Sequence, residues 1–175
     1  MSRLEEIVKR GFDIAVAITG LFLLSPILLL ATLAIKLESR GPALCRRPRY
    51  SLNGATIEVF RLGSTSPGRI GRVLRHVGID KIPQLINVLR GDMSIVGPCL
   101  YRTAPAKPLH TKRRCNAKPG MINWPQVGSY WDKTGGAAKL LQHQIEHDLY
   151  YIEHRSFLFD IKIILYVLFS TSSYR

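Results

Sequence analysis

The chain has 175 residues, 46% of them hydrophobic, and carries 25 lysines and arginines against 12 acidic residues. Its formal net charge of +13 indicates an anionic partner, such as a phosphorylated substrate, an acidic membrane surface or nucleic acid. The hydrophobic fraction argues against a disordered basic tail, and the length fits a single domain.

The first predicted element is a long apolar helix. No charged residue occurs from Ile14 to Ile35, and this run of 22 residues is long enough to cross a bilayer. Ser25 and Pro26 lie near its middle, where a proline removes a backbone donor and kinks a helix. Basic residues flank both ends, as is typical of segments on the cytoplasmic side. The residues leave two paths open: an ordinary span, or a re-entrant helix that turns back at Ser25 and Pro26.

A small β-hairpin is predicted next, from about Leu44 to Phe60. Asn53-Gly54 is a two-residue turn signal, and the segment from Thr56 to Phe60 alternates between polar and apolar residues. Arg61 follows directly after the second strand.

A basic helix comes after the hairpin. Arg69, Arg72 and Arg75 recur at every third residue, so they share one helix face. Gly78 is placed to end this helix. Arginines on one face are well suited to phosphate, with which they make bidentate contacts.

Asp80 lies two residues beyond that glycine. It precedes Pro83 and an apolar helical pattern that Gly91 is placed to end, which predicts that Asp80 caps the N-terminus of a second helix. A helix N-terminus attracts phosphate, and a carboxylate held there can attack phosphorus. The alternative for Asp80 is a helix cap with no chemistry.

Two more helices are predicted near the end of the chain. Residues 139–155 have a helical pattern, and the apolar segment from Phe157 to Phe169 is too short to span a bilayer. This last segment therefore packs on the core or lies along a membrane interface. His143 and His147 are spaced i and i+4, but a zinc site needs at least one more ligand, so none is predicted.

The central stretch resembles the signature of the bacterial sugar transferases, the membrane-bound phosphoglycosyl transferases of polysaccharide assembly. The matching segments are RVLR at 72–75, GIDKIPQL at 78–85, GDMS at 91–94 and VGP at 96–98. KPGMINWPQV at 118–127 and EHDLYYI at 146–152 resemble further family motifs. Two departures stand out: Lys81 replaces a family glutamate, and Cys99 replaces a family arginine.

The resemblance implies a mainly helical α+β fold that contains the small hairpin. Residues 1–40 would form a membrane-embedded unit whose re-entrant helix is broken at Ser25 and Pro26. Residues 41–175 would form a catalytic domain, with interfacial helices, on the cytoplasmic face of the bacterial inner membrane and its anionic lipids. Oligomerisation is left open.

The resemblance also implies a reaction. Asp80 would attack the β-phosphate of a nucleotide sugar, such as a UDP-sugar, and form a covalent sugar-phosphoryl aspartate. A polyprenyl phosphate such as undecaprenyl phosphate would then accept the sugar phosphate, with Mg²⁺ assisting. The expected phosphate ligands are Arg61, Arg75 and Lys81, and the candidate magnesium ligands are Asp148 and Asp92.

Two other functions remain as alternatives. Lys81 and Cys99 would suit a catalytically impaired paralogue that acts as a non-enzymatic partner in the same polysaccharide pathway. A basic nucleic-acid-binding protein is disfavoured, because the sequence lacks a known module and carries the 22-residue apolar run.

Overall fold

The computed structural model describes residues 3–39, 41–51, 54–63, 68–101, 117–124 and 136–170. The helices are α1 (Arg3–Glu38), α2 (Arg69–Val77), α3 (Gln84–Arg90), α4 (Gly136–His154) and α5 (Phe157–Ser170). The strands are β1 (Leu44–Tyr50), β2 (Thr56–Leu62), β3 (Ser94–Val96) and β4 (Gly120–Ile122). This is a mainly helical α+β fold with a long apolar N-terminal helix and a hairpin, as expected.

The helix α1 continues through Ser25 and Pro26. Pro26 has no N–H to donate to the carbonyl of Phe22, and the Ser25 hydroxyl donates to that carbonyl instead, at 2.8 Å. The predicted break therefore takes the form of an exchange of donors inside a continuing helix. The path of α1 through a membrane stays a prediction.

Most of the apolar surface of α1 is exposed. Among the described residues, it is the one helix that is long and apolar enough to cross a membrane, judged by length and composition. Phe22, Leu29 and Leu37 are 78%, 73% and 81% exposed. So extended an apolar surface is typical of a membrane or protein contact rather than of a face turned to water.

The helix α1 packs against the rest of the protein on both sides of Pro26. Before the proline, the buried carboxylate of Asp13 accepts a hydrogen bond from the Ser94 hydroxyl at 2.7 Å. After it, Ile35 is buried in a second apolar cluster, and Glu38 accepts from the backbone N–H of Arg69 at 2.6 Å. Both ends of α1 are thus attached to one globular body.

The predicted hairpin is confirmed. Strands β1 and β2 pair antiparallel, with a register that runs from Leu44 opposite Leu62 to Tyr50 opposite Thr56. Gly54 has φ 82, a left-handed conformation that suits glycine at such a turn. Asn53 lies outside the described residues.

The basic helix α2 ends at Gly78 as predicted, and Gly91 ends α3. The N-cap role expected of Asp80 is wrong. Asp80 belongs to a separate 3₁₀ turn (Ile79–Lys81), and α3 starts at Gln84 after Pro83, with no side-chain cap. Pro83 takes up the entry to α3 because its fixed φ is already helical.

Strands β3 and β4 form a parallel pair that the sequence did not predict. They approach so closely that a Cβ atom on Gly97 or Gly120 would overlap the opposing backbone. The two glycines of the Val-Gly-Pro and Lys-Pro-Gly segments therefore serve this contact.

Helices α4 and α5 complete the core. The hydroxyl of Tyr151 donates to Asp160 at 2.6 Å, and Asp160 also forms an ion pair with Lys9 of α1. Ile163 is fully buried, whereas Leu158 and Phe169 are 79% and 77% exposed. The last helix thus packs on the core with one face and keeps an apolar face outside.

Candidate functional site

The candidate site is centred on Asp80, which is 3% exposed. Its Oδ2 accepts a hydrogen bond from Nη1 of Arg61 at 3.3 Å. Its Oδ1 is also buried and has no hydrogen-bond partner among the described residues. A buried carboxylate oxygen without a donor is costly, and proteins retain such atoms where they have a use. Oδ1 of Asp80 is therefore the candidate reacting atom.

One buried amide fixes the two elements that carry this pair. Asn87 of α3 is fully buried, and its Nδ2 donates to the carbonyl of Glu58 at 2.7 Å. Its Oδ1 accepts from the backbone N–H of Phe60 at 3.0 Å. The side chain thereby hydrogen-bonds two backbone groups of β2 that face away from β1. Because Arg61 follows Phe60, this contact sets Arg61 against the turn that holds Asp80.

A cavity of about 150 Å³ adjoins the pair. It is lined by the cationic residues Arg49, Arg61 and Lys81, by the amides Gln84 and Asn123, and by Val59, Leu100, Gly120 and Met121. Asp80 is joined to this cavity through its ion pair with Arg61 and is not itself one of the lining residues. Three cations and two amides on one wall make a site for an anion with several oxygens.

The cavity wall rests on a buried polar layer. Asn123 contacts Sγ of Cys99 at 2.6 Å, and the backbone N–H of Cys99 donates to Asp148 at 3.0 Å. The hydroxyl of Tyr101 donates to the same carboxylate at 2.6 Å. Burial raises the pKa of Asp148 to about 6, while the bonds from Tyr101 and Cys99 lower it. Asp148 is thus an interior acceptor that supports the wall.

The thiol of Cys99 keeps its proton in this layer. Burial raises its pKa most, Asp148 raises it further, and Lys81 lowers it. Nδ2 of Asn123 donates to this Sγ, and Oδ1 of Asn123 is buried without a hydrogen-bond partner among the described residues.

Six residues were predicted as nucleophile, phosphate ligands or metal ligands. Arg61 and Lys81 line the cavity, and Asp80 is paired with Arg61. Asp148 lies in the buried layer that supports the wall, and the other two lie elsewhere. Arg75 is exposed on α2 and is not among the described residues of the cavity wall. Asp92 is exposed beyond the end of α3. Their roles as phosphate and metal ligands stay predictions.

Sequence reasoning missed three residues of the cavity wall, namely Arg49, Gln84 and Asn123. Arg49 looked like one more charge in a basic flank, because its distance from Asp80 in the chain gave no sign of contact. Gln84 follows the Pro83 of the central motif, so its place in that motif was an available signal.

Metal ligands are scarce at this site. Within the described ranges, no group of three or more histidine, cysteine, aspartate or glutamate side chains is placed to hold a metal ion. The cavity wall beside Asp80 has cations and, among the described residues, no carboxylate.

A larger cavity of about 420 Å³ is formed by α1, β3 and α4, with Lys9, Arg10, Asp13, Lys118 and Arg155 among its lining residues. Most of its cations have internal partners. Arg10 donates to the carbonyls of Val88 and Leu89 at the end of α3, at 2.7 and 3.0 Å. Arg155 pairs with Glu6 at 3.5 Å. These contacts hold α1 against the core.

The chain is similar to a known family and to several known proteins. The family model described as bacterial sugar transferase matches residues 4–173. A UDP-glucose:undecaprenyl-phosphate glucose-1-phosphate transferase of Caulobacter vibrioides is 38% identical over 90% of this chain and 67% of that protein. The protein of the same description from Escherichia coli is 33% identical over 97% of this chain but only 41% of its own length. The exopolysaccharide production protein PSS of Rhizobium leguminosarum bv. phaseoli is 32% identical over 90% of this chain and 92% of that protein.

Proposed function

The chain belongs to the bacterial sugar transferase family, and on that premise we propose that it transfers a sugar phosphate from a UDP-sugar to undecaprenyl phosphate. This would be the first step in assembling an exopolysaccharide. The relatives named for that substrate pair support the proposal. The chain spans well under two thirds of some of these relatives, so the complete activity is proposed rather than carried over.

The observation that carries the proposal is the state of Asp80. One carboxylate oxygen is oriented by Arg61 and the other is buried without a hydrogen-bond donor among the described residues. A helix cap would have used its oxygens on backbone N–H groups, and Asp80 does not cap α3. The geometry therefore favours a nucleophile over a structural residue.

The proposed reaction has two displacements at one phosphorus atom. Asp80 attacks the β-phosphorus of the UDP-sugar, an oxygen–phosphorus bond forms, and UMP leaves with the electron pair of the bridging oxygen. An oxygen of undecaprenyl phosphate then attacks the same phosphorus and displaces Asp80 as a free carboxylate. No net proton transfer is needed, so charge neutralisation by Arg49, Arg61 and Lys81 is the main requirement.

Magnesium is the cofactor that the family resemblance implies, and the donor set does not fit it well. Mg²⁺ prefers oxygen ligands, usually one or two carboxylates together with substrate phosphates. Here Asp80 is already paired with Arg61, and Lys81 stands where the family has a second carboxylate. The carboxylate of Asp148 is engaged by Cys99 and Tyr101 behind the wall.

We further propose that α1 is re-entrant at the cytoplasmic face of the inner membrane. Its contacts on both sides of Pro26 belong to one globular body, which supports placing both of its ends on one side of the bilayer. On this proposal residues 1–40 form the membrane unit and 41–175 the catalytic domain, and the exposed apolar face of α5 lies along the interface.

The experiment is a UMP-release assay on the purified chain in detergent or nanodiscs, with a panel of UDP-sugars and undecaprenyl phosphate. Continued release of UMP that needs undecaprenyl phosphate, with no more than about one UMP per chain in its absence, supports the transferase. If no UDP-sugar gives release in any buffer, with or without magnesium, the non-enzymatic partner replaces it.

A further inference from the structure

Three cationic side chains line the cavity beside Asp80, namely Arg49, Arg61 and Lys81, and no carboxylate lines it in the part of the chain that the structure describes. Cations around one cavity suit the two ionised phosphates of a nucleoside diphosphate, the group that a magnesium ion would otherwise neutralise.

Lys81 is an exposed residue that lines this cavity, and its charge lowers the pKa of the buried Cys99 thiol. An ammonium in that position repels a divalent cation and attracts phosphate oxygens. Lys81 therefore opposes a metal at the place where the family has a carboxylate.

Two buried amides lie on the same wall. Gln84 is 5% exposed and Asn123 is 8% exposed, and both line the cavity. The N–H₂ group of Gln84 is a neutral donor of the kind that binds phosphate oxygens beside cations.

We propose that Arg49, Arg61 and Lys81 replace magnesium in this protein, so that it binds the diphosphate of its nucleotide sugar without a divalent cation. The inference rests on the proposed transferase function for its substrate class. In the transfer step, these cations stabilise the negative charge that develops on the bridging oxygen as UMP leaves. Lys81 is the residue that distinguishes the site from a carboxylate-rich one.

The test uses the full chain and UDP as the probe, with binding measured by calorimetry in EDTA and in excess Mg²⁺. Wild type should bind UDP with affinities that agree within about twofold in the two buffers. Lys81→Glu should bind about tenfold or more weakly in EDTA, because a charge-assisted contact is lost, and should recover in Mg²⁺. The matched control is Lys162→Glu, an equal change of charge at an exposed position of α5, which should behave as wild type.

A second variant guards against misfolding. Lys81→Met removes the charge without adding a carboxylate, so it should weaken UDP binding in both buffers without creating a response to magnesium. Circular dichroism checks that each variant is folded. The inference is overturned if wild type needs Mg²⁺ to bind UDP, if it does not bind UDP at all, or if both Lys81 variants bind as wild type in EDTA.

The UMP-release assay separates this inference from the proposed function. Turnover that EDTA abolishes and Mg²⁺ restores would keep the transferase and refute the metal-free site. Metal-free UDP binding that depends on Lys81, without UMP release from any UDP-sugar, would keep the site and refute the transferase.

Discussion

Replacing Asn87 by alanine tests how the site is held together. The amide is fully buried and bonds two backbone groups of β2, the N–H of Phe60 and the carbonyl of Glu58. Alanine removes both partners and leaves a small void between α3 and the hairpin. Among the described residues, Asn87 is the side chain that joins these two backbone groups to α3.

The expected loss of stability depends on whether water can reach each of these two backbone groups after Asn87 is replaced. The N–H of Phe60 is buried, and an unsatisfied buried donor costs ~1–3 kcal/mol. Glu58 is exposed, so water can reach its carbonyl and the loss there is nearer the net value of one hydrogen bond, ~1 kcal/mol. Together these give a decrease of about 3 kcal/mol in the free energy of unfolding.

Urea unfolding followed by circular dichroism in detergent measures this change. The control is Gln142→Ala, which removes an exposed hydrogen bond within α4 and should change the unfolding free energy by less than ~0.5 kcal/mol. Because Arg61 follows Phe60 in β2, Asn87→Ala should also weaken UDP binding. An unfolding free energy of Asn87→Ala within ~0.5 kcal/mol of wild type would show that this amide does not hold α3 against β2.

Three further predictions concern the cavity wall, its buried support and α1. Arg61→Ala should weaken UDP binding about tenfold or more in calorimetry. Arg75→Ala should weaken UDP binding less, because Arg75 is exposed and does not line the cavity. If Arg75→Ala had the larger effect, the phosphate site would lie on α2. Burial raises the pKa of Asp148 to about 6 from an ordinary 3.8. Between these two values the folded state holds the proton more tightly than the unfolded state, so the free energy of unfolding falls as pH rises from 4 to 6. Relative to Asp148→Asn, wild type should lose about 2 kcal/mol across that window in urea unfolding, and parallel pH profiles would contradict this. Reporters fused at either terminus should both read as cytoplasmic, and Pro26→Leu should shift some molecules toward a spanning helix; reporters on opposite sides of the wild-type protein would exclude the re-entrant path.

The elements that the sequence predicted are those with local signals. The hairpin follows from Asn53-Gly54 and the alternation after it. The end of α2 follows from Gly78, because a glycine adopts the left-handed conformation that closes a helix. These features depend on residues close together in the chain, so pattern alone is enough.

The missed features depend on contacts between distant segments. Strands β3 and β4 have three residues each, too few for a periodic pattern, and pair across the chain through Gly97 and Gly120. Asp80 looked like a helix cap because Pro83 follows it, but Pro83 itself enters α3. The role of Asn87 gave no pattern at all, since an amide in an apolar helix has no local sign of its partner.

Mass spectrometry of the trapped intermediate shows most directly whether Asp80 is the nucleophile. Wild type incubated with its UDP-sugar in the absence of undecaprenyl phosphate should carry one sugar phosphate, and peptide mapping should assign it to Asp80. Asp80→Asn should carry none while unfolding at a similar urea concentration, because it keeps the size of the side chain and removes the anionic oxygen. A sugar-phosphate adduct on any other residue, or an undiminished adduct in Asp80→Asn, would contradict the account.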